Sequence, residues 1–175
     1  ISSATHAFPG GTTDFLRSDG VFATPPAGSS NTSTVKLLTI QSVTTTSSMP
    51  VTGLEFTVSN TIKYAFDFKL IFASRISSNG LTMGFTFPAV STFAATLEIP
   101  FAAAGNGGLF QGSVTSSGGR VTATAVVAAS TQYCATACGV IIPTANGTLQ
   151  LRAGAEVAGQ TISSFAGSYG TLTIL

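Results

Sequence analysis

An alternation of large apolar residues with smaller or polar ones from Tyr64 to Phe72 constrains the fold more than any other feature. The large residues are Tyr64, Phe66, Phe68, Leu70 and Phe72, and the residues between them are Ala65, Asp67, Lys69 and Ile71. Successive side chains of a β-strand point to opposite faces, so this period places the large residues on one buried face. No segment carries helical spacing of apolar residues over three turns. The pattern therefore predicts a half-buried strand.

The same period recurs along the rest of the chain. It appears at Phe85 and Phe87, at Leu97, Ile99 and Phe101, at Val121, Ala123, Ala125 and Val127, at Leu149 and Leu151, and at Leu172 and Ile174. Between these runs stand the turn signals Asn79-Gly80, Gly105 to Gly108, Gly118-Gly119 and Asn146-Gly147. Short strands spaced about 10 to 15 residues apart indicate an all-β fold. We predict an antiparallel β-sandwich of about eight to ten strands from residue 35 onward, with a jelly roll as the first choice and a simpler sandwich as the second.

Ionisable residues are sparse. Asp, Glu, Lys and Arg make up 7% of the chain, with seven basic and six acidic residues and a net charge of +1, against about 25% in an average soluble domain. Such a surface neutralises too few phosphates to hold a nucleic acid. A near-neutral, 44% hydrophobic chain favours association with other subunits, although a well-covered sandwich with a Ser/Thr exterior is the alternative. No apolar run approaches the roughly 18 residues of a membrane helix, so no membrane insertion is expected.

The first 33 residues differ in kind from the rest. Residues 24–34 are rich in Pro, Gly, Ser and Thr, which is typical of an extended linker. The apolar residues before the linker are too few for a core of their own, so they must pack on the main domain or on neighbouring subunits. We predict an extended N-terminal arm over 1–33 that acts as a connector, and a jelly-roll-like head domain over 34–175.

Residues 10–26 read GGTTDFLRSDGVFATPP. This segment resembles the FLRxDGxWxxPP element of tail-fibre and related virion proteins of tailed bacteriophages. The matching positions are Phe15, Leu16, Arg17, Asp19, Gly20, Pro25 and Pro26, and Phe22 stands where the element has Trp. The head is similar to fibre domains more diffusely, at residues 64–70, 80–89, 146–157 and 167–169. The resemblance extends over most of the chain, but only the N-terminal element is specific.

The resemblance implies a structural protein on the surface of a virion, assembled as a homotrimer. The connector contacts would then come from Phe15, Leu16, Arg17, Asp19 and Phe22. The expected partners are copies of the chain itself, other virion proteins, and a glycan or protein of the host cell surface. A receptor-binding tail fibre and a capsid head-fibre or decoration protein are the two variants within this class. A secreted bacterial adhesin or carbohydrate-binding module is the alternative outside it.

Residues that could carry acid–base chemistry are few. The single histidine, His6, lies in the N-terminal segment, and the six carboxylates offer few pairs for glycoside hydrolysis. We therefore expect no enzymatic activity, no cofactor and no metal site, with a depolymerase as the minor alternative. The connections at 74–80, 103–108, 116–120 and 130–138 are the candidate contact loops, since recognition residues concentrate on loops.

Three residues separate the two cysteines, Cys134 and Cys138, in the sequence. With a single histidine elsewhere, they cannot complete a four-ligand zinc site within the chain. A local disulfide requires a Cα separation near about 5–6 Å. The sequence leaves two alternatives open, a small disulfide-closed loop and two free thiols in a turn.

Overall fold

The structure is a computed structural model that describes residues 15–16, 22–23, 31–103, 106–126 and 128–175. The chain divides into two compact units, 1–30 and 31–175. In the first unit, β1 (Phe15–Leu16) pairs with β2 (Phe22–Ala23) in antiparallel register. The predicted connector residues Phe15, Leu16 and Phe22 thus belong to a two-stranded ladder, whereas Arg17 and Asp19 lie outside the described residues.

The second unit contains twelve strands in two antiparallel sheets. The strands are β3 (Thr32–Lys36), β4 (Gln41–Val43), β5 (Met49–Val58), β6 (Tyr64–Ser74), β7 (Leu81–Thr86), β8 (Val90–Ala103), β9 (Asn106–Val114), β10 (Arg120–Thr122), β11 (Tyr133–Pro143), β12 (Gly147–Ala155), β13 (Ile162–Ser164) and β14 (Tyr169–Ile174). The small sheet has the order β10-β7-β12-β5. The large sheet has eight strands, with the order β3-β14-β6-β11-β8-β9, and β13 joins β6 to β4.

The eight strands from β5 to β12 pair in a nested arrangement. Strand β8 pairs with β9, β7 with β10, β6 with β11, and β5 with β12. These eight strands therefore form one long hairpin that is rolled so that its successive strands fall alternately in the two sheets, apart from the β8–β9 turn. Two sheets formed from a rolled hairpin have the connectivity of a jelly roll. The prediction of an all-β, jelly-roll-like sandwich is confirmed, and β3, β4, β13 and β14 extend the large sheet beyond β6.

Aromatic rings from both sheets fill the space between them. All five large residues predicted to share one face of the strand at 64–72 are buried. Across the interface, the ring of Phe68 lies 5.5 Å from that of Phe56 and 5.7 Å from that of Phe85, and Phe66 lies 5.3 Å from Phe85. Offset and tilted rings at these centroid distances attract beyond their burial. The core therefore joins β6 of the large sheet to β5 and β7 of the small one.

The predicted strand at 121–127 is wrong beyond its start, because β10 ends at Thr122. Ala123 N still donates to Leu81 O, at the first residue of β7, at 3.0 Å, and two residues later Ala125 adopts a φ of 127°. A Cβ on Gly80 would lie 1.8 Å from Ala123 O. The absence of a side chain at Gly80 therefore permits the close approach that bends the chain out of the strand.

Two further differences concern the ends and the number of strands. Strand β3 begins at Thr32, so Thr32 and Ser33, the last two residues of the predicted arm, lie in the large sheet. The twelve strands of the second unit exceed the predicted eight to ten. Three of the twelve, β4, β10 and β13, have only three residues each, which is too short for an alternation to be recognised.

Candidate interaction surface

The connection at 74–80, one of the candidate contact loops, is fixed by buried hydrogen bonds. Asn79 is fully buried. Its Nδ2 donates to Ser74 Oγ at 2.9 Å, and its Oδ1 accepts from Val157 N at 3.0 Å. The next backbone amide, Gly80 N, donates to the carboxylate of Glu156 at 2.9 Å. A polar sequence that is typical of an exposed loop is thus buried here. It forms hydrogen bonds that link β6, β7 and the end of β12.

The connection at 116–120 is held against the end of β7. Gly118, with a φ of 81°, donates its N–H to Phe85 O at 2.8 Å. The hydroxyl of Ser117 donates to Phe87 O and accepts from Phe87 N, each at 3.1 Å. The connection at 103–108 is the end of the β8–β9 hairpin, where Ala103 pairs with Asn106, and residues 104–105 lie outside the described residues.

The placement of residues 130–138 in a contact loop is wrong from Tyr133 onward, because β11 begins there. Cys134 and Cys138 both lie on this strand, exposed and with free thiols. Four residues of extended chain span about 13 Å, which exceeds the roughly 7 Å limit between Cα atoms of a disulfide. The disulfide alternative is therefore incompatible with this strand, and the thiols are free.

The outward-pointing side chains of the large sheet form a surface that we call the outer face. Pairing registers align these side chains in rows across six strands. One row, in the order β3 to β9, is Lys36, Tyr169, Lys69, Thr136, Glu98 and Gln111, and the next is Thr34, Thr171, Asp67, Cys138, Thr96 and Ser113. Most of these side chains are uncharged, and half of them are short hydroxyl or thiol side chains. The surface is a broad array of hydroxyls and small groups with a few charges.

Hydrogen bonds connect part of the outer face internally. Gln111 Nε2 donates to Glu98 Oε1 at 2.6 Å, and Thr136 Oγ1 donates to Glu98 Oε2 at 3.4 Å. Lys69 Nζ lies 3.3 Å from Asp67 Oδ1, with about a third or more of each side chain exposed. A pair this exposed stabilises the fold by only about 0–1 kcal/mol. Beside Glu98, a depression of about 320 Å³ is lined by small residues of β8, β9 and β11, including Thr96, Cys138 and Val140.

An apolar connection lies at the β3 end of the large sheet. Leu38 and Ile40 are 82% and 60% exposed, whereas the preceding Leu37 is buried. The connection is positioned by two backbone hydrogen bonds, Leu37 N to Ser168 O at 2.8 Å and Gly167 N to Leu37 O at 3.2 Å. Sequence reasoning did not identify this exposed pair. The signal was the adjacent Leu37 and Leu38, which breaks the alternation.

The described carboxylates lie apart from one another. Glu55 accepts a hydrogen bond from Gln150 on the outward side of the small sheet, and Glu98 lies on the opposite face of the sandwich. Asp67 and Glu98 share the outer face but are separated by β11, which places them about 10 Å apart or more.

Among residues 31–103, 106–126 and 128–175, no three His, Cys, Asp or Glu side chains are grouped as metal ligands. Within the same described part, no helix has the length and apolarity to cross a membrane.

Comparisons with known proteins give a weak structural likeness. No family model and no curated protein matches the chain. One similar solved structure is that of the infectious bursal disease virus VP2 subviral particle, with 13% identity and a TM-score of 0.26 over 89% of this chain and 44% of that one. Another is that of the infectious bursal disease virus Gx strain, with 8% identity and a TM-score of 0.22 over 88% of this chain and 41% of that one. The chain spans less than half the length of either viral protein.

Proposed function

We propose that the chain is a structural module of a tailed-bacteriophage virion, a fibre-type jelly roll that mediates assembly and attachment to a host surface or to the capsid. The outer face of the large sheet is the observation that carries the proposal. It spans six strands, and within its two central rows only Lys36, Lys69, Asp67 and Glu98 carry charge. A broad, weakly charged face on a rigid scaffold is suited to contacts with other macromolecules.

The rigidity of the scaffold supports a presenting role. Nested β-ladders and a core of interlocking rings hold the outer face in one geometry, so a partner meets a preformed surface and little ordering is needed on binding. If three copies share one axis, as the resemblance of the N-terminal element suggests, three such faces act together. Weak contacts on one particle then add through high effective concentration.

The roles of the described carboxylates support adhesion in preference to acid–base chemistry. Glu55 accepts from Gln150, Glu98 from Gln111, and Glu156 from Gly80 N. Asp67 is paired with Lys69. Glu55, Glu98 and Glu156 each join two strands or stabilise a connection between them, and Asp67 pairs within its own strand, β6. This use of acidic residues is structural, and we propose a non-enzymatic protein on that basis.

Native mass spectrometry of the full chain tests the assembly part of the proposal. We expect a species of three times 17.6 kDa at micromolar concentration. Phe22→Asp places a charge in the β2 ladder of the N-terminal unit and should dissociate the trimer while the head stays folded. Leu109→Asp is the matched control, because Leu109 is an exposed apolar residue of the head. A wild-type monomer, or equal dissociation by both variants, would contradict assembly through the connector.

Antibody labelling of purified particles tests the virion location. We expect label on intact virions in electron micrographs. Label that persists on capsids without tails would identify a decoration protein, and label confined to tails would identify a fibre. Particles without any label in either preparation would overturn the proposed location.

A further inference from the structure

Tyr169 is the large ring of the outer face. It lies at the start of β14 with 40% of its surface exposed. Lys36 on β3 and Lys69 on β6 are its direct register partners on the two sides. Directly opposed residues of antiparallel strands have Cβ atoms about 4.5–5.5 Å apart. The phenol ring is therefore flanked by two lysine stems.

The backbone that carries Tyr169 is fixed before any ligand arrives. Ser168 is fully buried, and its Oγ accepts from Ile71 N at 2.9 Å and donates to Phe165 O at 2.8 Å. On the other side, Gly170 packs on the core, where an added Cβ would lie 2.6 Å from the ring of Phe68. The ring stands on a preformed base, so binding to it needs little backbone ordering.

Polar groups suited to a sugar surround this ring. In the next row, Thr34, Thr171 and Asp67 are aligned with Lys36, Tyr169 and Lys69, and we call these six residues the Tyr169 platform. The threonine hydroxyls both donate and accept hydrogen bonds, and a carboxylate accepts them. Within residues 31–175 that the structure describes, Lys69 is paired with Asp67, whereas Lys36 takes part in no ion pair. The platform thus offers an aromatic face, hydroxyls and one uncompensated cation.

We infer that the Tyr169 platform binds a carboxylated sugar of a polysaccharide, an inference that rests on the proposed attachment function and names its ligand class. The electropositive C–H groups on one face of the sugar lie on the electron-rich face of the phenol ring. The sugar carboxylate accepts a charge-assisted hydrogen bond from Lys36. Thr34, Thr171 and Asp67 lie where they can bond the ring hydroxyls.

Other polymers fit the platform less well. A nucleic acid needs many neutralised phosphates for appreciable affinity, and the platform offers two lysines, one of them paired with Asp67. An extended peptide that uses β-structure adds to the edge of a sheet through backbone hydrogen bonds, whereas Tyr169 lies between β3 and β6, inside the sheet. A flat face with a ring between cations favours an acidic saccharide.

Affinity electrophoresis of the full chain in native gels tests the inference. The gels contain polygalacturonate, alginate or hyaluronate as carboxylated polymers, or dextran as a neutral one. We expect at least one carboxylated polymer to retard the chain and dextran to leave it unaffected. Tyr169→Ala should weaken the apparent affinity about tenfold, whereas Tyr169→Phe keeps the ring and should change it about twofold at most.

Lysine variants separate the platform from general charge. Lys36→Gln should weaken retardation by about three- to tenfold. Lys63→Gln removes the same charge at an exposed position directly before the first residue of β6, away from the platform. This variant should leave retardation unchanged. Thermal melts of each variant establish that the fold is retained.

Three outcomes would overturn the inference: no retardation by any carboxylated polymer, equal retardation by dextran, or equal losses for Lys36→Gln and Lys63→Gln. Binding of the chain to host cells that protease treatment abolishes, while these polymers do not compete, would assign the face to a protein ligand and overturn it as well. None of these outcomes alters the trimer or the virion labelling, so the proposed function is tested separately.

Discussion

The two faces of the large sheet differ in what their residues do. On β6, the inward side chains are buried large residues, of which Phe68 and Phe72 are fully enclosed. The outward side chains, such as Asp67 and Lys69, are partly exposed and bond to neighbours on the surface. One strand therefore carries both the stabilising core and the candidate contact surface. Stability and recognition can therefore be varied separately in this fold.

The largest effect should come from truncating the inner face. Phe68→Ala removes a ring that contacts Phe56, Phe66 and Phe85, and we expect it to lower the free energy of unfolding by about 4 kcal/mol. Lys69→Ala, one position along and facing outward, should lower it by less than about 0.5 kcal/mol. Urea denaturation followed by circular dichroism measures both. Similar losses for the two variants would mean that the faces are not energetically distinct.

Adding volume to the inner face should have the next largest effect. Gly170→Ala inserts a methyl group 2.6 Å from the Phe68 ring and should destabilise the head by about 2 kcal/mol. Thr171→Ala, which faces outward, is the neighbouring control. The double variant Gly170→Ala with Phe68→Leu should be more stable than the sum of the two single changes predicts, and strict additivity in denaturation would contradict the proposed clash.

Breaking the hydrogen bonds of the outer face should cost less. Glu98→Ala removes the acceptor for Gln111 and Thr136, and because these groups regain hydrogen bonds to water we expect a loss of about 1 kcal/mol or less. A double-mutant cycle of Glu98→Ala with Gln111→Ala isolates the pair. A coupling energy as large as the Phe68→Ala effect would show that this face contributes to the core after all.

The smallest effect should come from the cysteines. Cys134→Ser and Cys138→Ser exchange exposed thiols for hydroxyls, so each should change stability by less than about 0.5 kcal/mol. In the wild-type protein, a thiol reagent such as Ellman's reagent should titrate both thiols without unfolding, and a reducing agent should not change the melting temperature. A mass two hydrogens lower under non-reducing conditions would contradict free thiols.

Local features of the sequence predicted much of the architecture. The alternation from Tyr64 to Phe72 predicted a strand and its buried side. Asn79-Gly80 stands directly before β7, and Asn146-Gly147 marks the start of β12 at Gly147. The errors arose where a distant contact decides the conformation. Ala125 leaves the predicted strand because the backbone packs on Gly80, and the cysteine segment continues as a strand because β6 and β8 pair with it on both sides.

The platform itself was not predictable from sequence. Tyr169 lies within the GSY segment of the resemblance, yet nothing local relates it to Lys36 or Lys69. The pairing of β14 with β3 on one side and with β6 on the other brings these three residues side by side. The exposure of single residues also depended on tertiary contacts. Asn79 is buried and Leu38 is exposed, contrary to what their polarity suggests.

The amino-acid sequence was sufficient to predict the strands and the buried side of the long ones, because a two-residue period is a property of the local chain. The choice of neighbouring strands, and hence of the outward side chains that form a surface, depended on tertiary packing. Backbone hydrogen bonds are nearly the same for any pair of strands. The order of the strands within each sheet is therefore set by how the inward side chains fill one core. The outer face follows from that order.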